Sequence, residues 1–189
     1  MSNRSDASLP SPTQKDIDYL VPGAAEEDGK PAILQYLFSQ GGTISERTTH
    51  IATSPEIFQI LMKHGWKIDN NTPGSHLSDL DIVCFFLSHG ADPTIPNAYS
   101  IYDIERAALY TPLETVKLLL SNGAPVGPGS RALNAAAQGD ASDRIIVMEC
   151  LLDHGADINA LALDFMGPSE AGQSILRLSG AMKRREYGC

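Results

Sequence analysis

The sequence has few cysteines, few aromatic residues and no long hydrophobic run. Its three cysteines, Cys84, Cys150 and Cys189, form neither a Cys-x-x-Cys pair nor a disulfide framework, and this favours a reducing compartment. No apolar run approaches the roughly 18 residues of a membrane span, and the amino-terminal segment contains no hydrophobic stretch typical of a secretory signal. We therefore expect an intracellular protein, cytoplasmic, nuclear or both, with no membrane among its partners.

Basic residues are also scarce. The 189 residues include 14 Lys and Arg against 23 Asp and Glu, so the formal net charge is −9. Binding to a phosphate backbone depends on clustered cations, and an acidic chain with scattered charge is a poor candidate for it. We expect no direct nucleic-acid partner, and we interpret the negative charge mainly as an aid to solubility.

One seven-residue pattern occurs five times. The copies are YLFSQGG (36–42), ILMKHGW (60–66), FFLSHGA (85–91), LLLSNGA (118–124) and CLLDHGA (150–156). The sixth residue is always glycine, at Gly41, Gly65, Gly90, Gly123 and Gly155. Recurrence every few dozen residues is typical of stacked repeat units, which bury apolar faces against their neighbours and leave long surfaces for partners.

Each copy is predicted to end an amphipathic helix. The residues eight, seven, four and three before the glycine are apolar in 19 of 20 cases, with Thr115 as the exception. These offsets place the four side chains on one helical face, and glycine ends a helix because it adopts a left-handed conformation without a Cβ clash. Predicted helix starts are Ser54-Pro55, Ser78-Asp79 and Thr111-Pro112-Leu113-Glu114, the last with Thr111 as the N-cap.

A shorter helix is predicted ahead of each of the last two long ones. Tyr102–Leu109 and Ala132–Gln138 have the required pattern, and their alanines let the two helices of a hairpin approach closely. A chain built from such helix pairs belongs to the all-α class.

These units resemble the ankyrin repeat over about residues 16–160. Gly155-Ala156-Asp157-Ile158-Asn159 is similar to the Gly-Ala-Asp-hydrophobic-Asn turn of that family. Residues 132–137 (ALNAAA) are similar to its ALHxAA first helix, with Asn134 in the usual histidine position. The resemblance implies an ankyrin-repeat solenoid of about five helix-turn-helix units, in a family that binds proteins and is not itself catalytic.

The spacing departs from that family in the first half. The repeat glycines are 24, 25, 33 and 32 residues apart, whereas the family's unit has about 33 residues. We therefore expect the second and third units to be shortened. Residues 70–75 predict a turn in place of the third unit's first helix, residues 48–53 predict a clipped helix in the second, and Pro22-Gly23 is predicted to interrupt the first unit's first helix.

The two ends differ in composition from the repeats. Residues 1–14 are rich in Ser and Pro, which predicts a disordered tail. Residues 15–160 form the predicted ankyrin-repeat domain. Residues 161–189 are predicted to contain a loop and then a carboxy-terminal capping helix at 174–185 over the fifth unit.

Three histidines invite a metal interpretation because His64, His89 and His154 each precede a repeat glycine. The same slot holds Gln40 and Asn122, so a polar residue that bonds the last helical carbonyls explains all five. Packed helices lie about 10 Å apart, which is too far for zinc ligands, since each must approach to about 2 Å. We expect no metal site and no cofactor.

Catalytic patterns are likewise missing. Residues 127–130 contain a lone Gly-x-Gly without the lysine of a phosphate loop, and a turn is the simpler interpretation. There is no Gly-x-Ser-x-Gly elbow or evident Cys-His pair. Cys84 and Cys150 are interpreted as small packed residues of the long helices. We expect no catalytic residue and no enzymatic activity.

Recognition of another protein is the function that these patterns favour. Aromatic and arginine side chains dominate protein interfaces, and the candidate contacts near the projecting turns are Asn97, Tyr99, Tyr102, Arg106 and Arg131. The competing interpretation is that Tyr102 packs at a helix start and Arg106 is only solvated.

We predict a monomeric, non-catalytic adaptor or scaffold whose partner is another protein. The alternatives are a regulatory partner, such as a transcription co-regulator, or a truncated interaction module of a larger enzyme or complex.

Overall fold

The computed structural model describes residues 11–26, 30–69, 73–127, 130–139 and 143–158. Within these ranges the chain forms nine α-helices, one 3-10 helix and no strand, so the all-α prediction is confirmed for them. The helices are α1 (Gln14–Ala25), α2 (Pro31–Ser39), α3 (Glu46–Ile51), α4 (Pro55–Lys63), α5 (Leu80–Ser88), α6 (Asp103–Tyr110), α7 (Leu113–Ser121), α8 (Ala132–Gln138) and α9 (Arg144–Asp153), and the 3-10 helix is Pro73–Ser75. Most of the predicted tail at 1–14 and the whole predicted capping segment at 161–189 lie outside the described residues.

The chain divides into two compact units, Met1–Lys67 and Ile68–Cys189. In the first unit α1 packs against α2 and α3, and α2 packs against α4. In the second unit α6 packs against α7, α8 and the 3-10 helix, while α7 contacts α5 and α9, and α8 contacts α9. In each unit, first helices of consecutive hairpins contact first helices, and second helices contact second helices.

All five repeat glycines end their helices as predicted. Their φ angles are +90° at Gly41, +93° at Gly65, +96° at Gly90, +88° at Gly123 and +91° at Gly155. In every copy the N–H of the following residue donates to the carbonyl five residues before it, as Ala124 does to Leu119 at 3.0 Å. This bond satisfies a carbonyl that the helix leaves unpaired, and it needs the left-handed turn that glycine makes without strain.

The predicted apolar stripe is the core face. Of its 20 positions, 16 are buried and Met62, Leu87 and Leu152 are partly buried. Ile33 is the one position of the stripe that is not part of the core, because 48% of the residue's surface is exposed. The stripe therefore describes the packing of four helices fully and of α2 only in part.

The predicted helix starts are confirmed at two places and wrong at one. The Ser54 hydroxyl accepts from the Ile57 N–H at 3.3 Å, and an Asp79 carboxylate oxygen accepts from Asp81 and Ile82. Thr111 does not cap α7, because its buried hydroxyl donates to the Ala107 carbonyl at the end of α6. The N-terminal turn of α7 is bonded instead through the Leu113 N–H, which donates to Asp143 Oδ2 at 3.1 Å.

The shortened first helices are present, although α3 begins and ends two residues before the predicted 48–53. The second repeat has only the six-residue α3 at Glu46–Ile51, and the third has only the 3-10 turn Pro73–Ser75 among its described residues. The predicted break at Pro22-Gly23 is wrong, since α1 continues through Pro22 to Ala25. Proline removes one backbone donor, but Val21, Ala24 and Ala25 are buried on this turn, and their packing favours continuation of the helix.

Small residues bring α6 and α8 together. Ala107 and Ala108 of α6 and Ala136 and Ala137 of α8 are all buried. At the end of α8, a Cβ added to Gly139 would overlap the carbonyl oxygen of Leu109 in α6. The alanines thus serve the contact between first helices of consecutive hairpins, which the sequence had assigned to the two helices of one hairpin.

Candidate partner-binding surface

A tight turn between α5 and α6 presents Tyr99 to solvent. Asn97 Oδ1 accepts from the backbone N–H groups of Tyr99 at 2.9 Å and Ile101 at 3.1 Å. The Asn97 N–H donates to the Ile101 carbonyl, and the Ser100 N–H donates to the Asn97 carbonyl, both at 2.9 Å. Ser100 has φ +59°, a conformation that few residues adopt without support. Asn97 is therefore the residue that shapes the turn, while Tyr99 is the exposed one, with 81% of its surface accessible to solvent.

A buried carboxylate connects this turn to α8. Glu105 is only 8% exposed. Its Oε2 accepts from the Tyr102 N–H at 3.3 Å, and its Oε1 accepts from the Arg131 N–H at 2.6 Å. Charged acceptors make stronger hydrogen bonds to backbone donors than neutral ones do. Glu105 thereby fixes the main chain of two predicted contact residues at the amino-terminal ends of α6 and α8.

The side chains of Tyr102 and Arg131 differ in availability. Tyr102 is partly buried and packs against the apolar core of the second unit, as the competing interpretation predicted. Arg131 keeps an exposed side chain although its N–H is bonded to Glu105. Of these two residues, Arg131 is the one that can reach a partner without a change in packing.

Arg106 lies in a separate cluster and is not simply solvated. Its Nε donates to the Tyr110 hydroxyl at 3.0 Å, and its guanidinium carbon is 6.0 Å from the centroid of the Tyr110 ring. The Tyr110 hydroxyl also contacts the Gly74 carbonyl at 3.5 Å, beside the 3-10 helix. These contacts hold Arg106 against the protein, so we assign it to the packing of α6 on the 3-10 helix.

The Arg106 cluster also contains a buried acid, Asp103, whose pKa is shifted by its surroundings. Asp103 is 6% exposed, and burial raises its pKa from 3.8 to about 6, although the positive charge of Arg106 acts in the opposite direction. Loss of hydration disfavours the ionised carboxyl, whereas a nearby cation favours it. The desolvation effect is the larger of the two, so Asp103 takes up a proton near pH 6.

Several exposed apolar side chains near the turn were missed by the sequence reasoning. Ile95 is 44% exposed and Ile101 is 36% exposed, on either side of Tyr99. Their exposure could have been predicted from their position in a turn-rich stretch, because an isoleucine there does not belong to the apolar face of a helix. They add apolar area to the tip that Tyr99 occupies.

The polar residue before each repeat glycine caps its own helix in three of the five copies. Asn122 Nδ2 donates to the Leu118 carbonyl at 2.8 Å. His89 Nδ1 lies 2.8 Å from the Phe85 carbonyl, and His154 Nδ1 lies 2.7 Å from the Cys150 carbonyl. His64 instead stacks on Phe38, with 4.4 Å between the ring centroids. In the ranges that the structure describes, no group of three or more His, Cys, Asp or Glu side chains could hold a metal ion.

The two described cysteines have different surroundings. Cys84 is exposed on α5, so its interpretation as a packed residue is wrong: it lies between the apolar pairs of that helix and faces solvent. Cys150 is partly buried, and burial raises the pKa of its thiol. A raised pKa reduces the thiolate fraction, and the thiolate is the reactive form.

No protein-family model matches this chain, and no curated protein sequence gives a match to it. In the part of the chain that the structure covers, no helix has both the length and the apolar character needed to cross a membrane.

Proposed function

We propose that this protein is a non-catalytic adaptor that binds another protein through the Asn97–Ile101 turn. The observation that carries the proposal is the 81% exposure of Tyr99 on a turn held by four hydrogen bonds. A tyrosine on a fixed backbone has only two side-chain torsions to order on binding and supplies a large contact area. Such residues are typical centres of protein interfaces.

Neighbouring side chains support the same assignment. Ile95 and Ile101 provide exposed apolar area, and Arg131 provides an exposed cation near the amino-terminal end of α8. A centre of aromatic and aliphatic residues with a charged group at its edge matches the usual composition of protein–protein contacts. We assign Tyr99, Ile101 and Arg131 to direct contact, and Asn97 and Glu105 to positioning.

We further propose that the architecture is an ankyrin-like stack in which the second and third units are shortened. The support is the repetition of one helix ending at five glycines and the contacts of first helices with first helices within each unit. Stacks of this kind leave their turns on the surface, where they are free to bind.

The test is an affinity capture from the source cells with the full chain as bait. Three baits are compared by quantitative mass spectrometry: the unaltered chain, Tyr99→Ala and Tyr36→Ala. Tyr36 is the matched control, because it is a tyrosine of similar exposure, at 63%, outside this turn. A captured protein is then purified and its affinity for each form is measured by calorimetry.

We expect Tyr99→Ala to weaken binding of the purified partner about 30-fold, as an interface hot spot of about 2 kcal/mol does. Tyr36→Ala should leave the affinity within about twofold, as an exposed side chain away from the contact would. If every captured protein binds Tyr99→Ala as well as the unaltered chain, the proposed surface is wrong.

A further inference from the structure

The compact unit Met1–Lys67 has an open groove that is not part of the proposed contact surface at Tyr99. It has a volume of about 370 Å³ and lies where α1, the start of α2 and α3 meet. Its lining residues are Tyr19, Leu20, Pro22, Gly23, Ala24, Lys30, Ile33, Leu37 and Arg47. The volume lies at the lower end of the range of small binding pockets, about 300–1,000 Å³.

One apolar residue of this groove, Ile33, is more exposed than its repeat position predicts. Ile33 is eight residues before its glycine and is 48% exposed. The same position is occupied by Ile57, Ile82, Thr115 and Val147 in the other copies, and each of these is at most 2% exposed. Tyr19 and Leu20 of α1 add exposures of 79% and 53%. A position that is core in four repeats is thus uncovered in the first, and exposed apolar patches mark interaction sites.

Two cations lie among the described residues that line the groove. Lys30 and Arg47 are exposed, and the lining residues that the structure describes include no carboxylate, although the chain has a net charge of −9. Asp18, Glu26 and Glu46 are described carboxylates close in sequence to lining residues, and none of them lines the groove. Interfaces arrange charge so that a positive rim meets a negative partner.

Gly23 keeps the floor of the groove clear. A Cβ added to this residue would meet no atom within 4 Å. Because α1 continues through Pro22 and Gly23, the backbone here is helical and accepts larger residues without a change of conformation. A bulky side chain at position 23 would therefore fill the groove while the helix remains formed.

We propose that this groove binds an amphipathic helical segment of a partner protein, with Leu or Phe on its apolar face and Asp or Glu beside that face. The apolar residues enter the groove over Ile33 and Leu20, and the carboxylates meet Lys30 and Arg47. Helix-in-groove binding uses this combination of an apolar face and flanking charges. The site is separate from the Tyr99 turn, so either can fail without the other.

The test uses a phage-displayed library of random 16-residue peptides, selected on the full chain. The peptides that are enriched are synthesised, and their Kd is measured by fluorescence anisotropy. The groove variants are Gly23→Phe and the double variant Lys30→Glu/Arg47→Glu. Their matched controls are Gly23→Ala and Lys63→Glu/Lys67→Glu, the latter because both lysines are exposed in the same unit and do not line the groove.

We expect the enriched peptides to carry Leu or Phe at helical spacing together with Asp or Glu. The Lys30/Arg47 reversal should weaken them about tenfold, since two exposed ion pairs contribute together on the order of 1.4 kcal/mol. Gly23→Phe should abolish binding, and both controls should bind like the unaltered chain.

Three results would overturn the proposal. The first is that no peptide is enriched above background, or that the enriched peptides are basic. The second is that the groove variants bind as tightly as their controls. The third is that the unaltered chain forms a dimer by light scattering and Gly23→Phe makes it a monomer, because the groove would then bind a second copy of the chain.

Discussion

The carboxylate of Glu105 accepts a hydrogen bond from the backbone N–H of Arg131 at 2.6 Å, although the two residues are 26 positions apart in the sequence. The same side chain accepts from Tyr102 at the start of α6. One buried carboxylate thus holds the amino-terminal ends of two first helices, which are the ends nearest to the proposed contact surface. Its two bonds fix the main chain at Tyr102 and at Arg131.

Removal of this carboxylate should destabilise the second unit. We expect Glu105→Ala to lower the free energy of unfolding by about 1–3 kcal/mol, because backbone N–H groups that it satisfies lose their partner in a buried site. Glu105→Gln retains one acceptor oxygen, so its free energy of unfolding should lie between those of the unaltered chain and Glu105→Ala. Urea denaturation followed by circular dichroism measures the difference. The control is Glu114→Ala at an exposed first-turn position of α7, with an expected loss of about 0.5 kcal/mol; an equal loss in both variants would contradict the role of Glu105.

Two glycine-to-alanine changes should have opposite signs. Gly139→Ala places a Cβ against the Leu109 carbonyl, and we expect it to destabilise by about 1–3 kcal/mol, as overpacking does. Gly23→Ala meets open space within a helix and should stabilise by up to about 1 kcal/mol, because alanine is the better helix former. Thermal unfolding of the two variants beside the unaltered chain gives the comparison. Equal effects at both positions would show that the close contact between α6 and the end of α8 is wrong.

A substitution at a third glycine, Gly65, should measure the effect of backbone strain without an effect of packing. A Cβ at Gly65 would meet nothing within 4 Å, yet its φ is +93°. We therefore expect Gly65→Ala to cost about 1–2 kcal/mol from the left-handed conformation alone, and Gly65→Asn to cost less, since asparagine accepts this conformation more readily. The measurement is again the unfolding free energy in urea. An alanine variant as stable as the unaltered chain would mean that α4 does not end in the turn described.

Asp103 should make stability depend on pH between about 4 and 6. Its folded pKa is raised from 3.8 to about 6, so the folded state binds the proton more tightly than the unfolded state does. The stabilisation is therefore complete below the unfolded pKa, and it is lost as the pH rises through about 6. Over this range we expect the stability of the unaltered chain to fall by on the order of 2 kcal/mol relative to Asp103→Asn.

The comparison of the two forms removes contributions from the other acids. The pKa values of Asp16, Asp18 and Asp92 are lowered by hydrogen bonds from Thr13, Thr43 and Thr94. Their contributions have the opposite sign and are lost only as the pH falls below 3.8. Chemical denaturation at pH 4, 5, 6 and 7 supplies the data. A constant difference between the unaltered chain and Asp103→Asn would show that Asp103 is not buried as described.

Much of the helical structure follows from local sequence. The short helix Ala132–Gln138 has the bounds predicted for it, and the five long helices end at their predicted glycines. The periodic apolar residues and the left-handed glycines are short-range signals, and neither needs a partner elsewhere in the chain to be recognised. The clipped first helices were also readable, because Pro73-Gly74 does not favour a regular helix.

The candidate site was less predictable for a definite reason. Residue type alone placed Asn97, Tyr99 and Arg106 in one group. The structure separates an organising residue, an exposed one and a packed one. These roles depend on which atoms lie nearby in three dimensions. Tyr110 is close to Arg106 along α6, but Gly74 is 36 positions from Tyr110 in the sequence. No pattern within α6 predicts the contact with Gly74.

Local sequence was sufficient to predict most helices, the apolar face of each long helix and the residue at which each long helix ends, because these follow from side-chain spacing and from the conformational freedom of glycine. The packed structure was needed to show that α1 continues through Pro22, that the Thr111 hydroxyl donates to the Ala107 carbonyl, and that Ile33 is exposed while its counterparts are buried. Each of these depends on which groups compete for one donor, one acceptor or one apolar surface. At the start of α7 the distant group is Asp143, which accepts from the Leu113 N–H 30 positions away, and at Pro22 and Ile33 packing decides what local preference cannot.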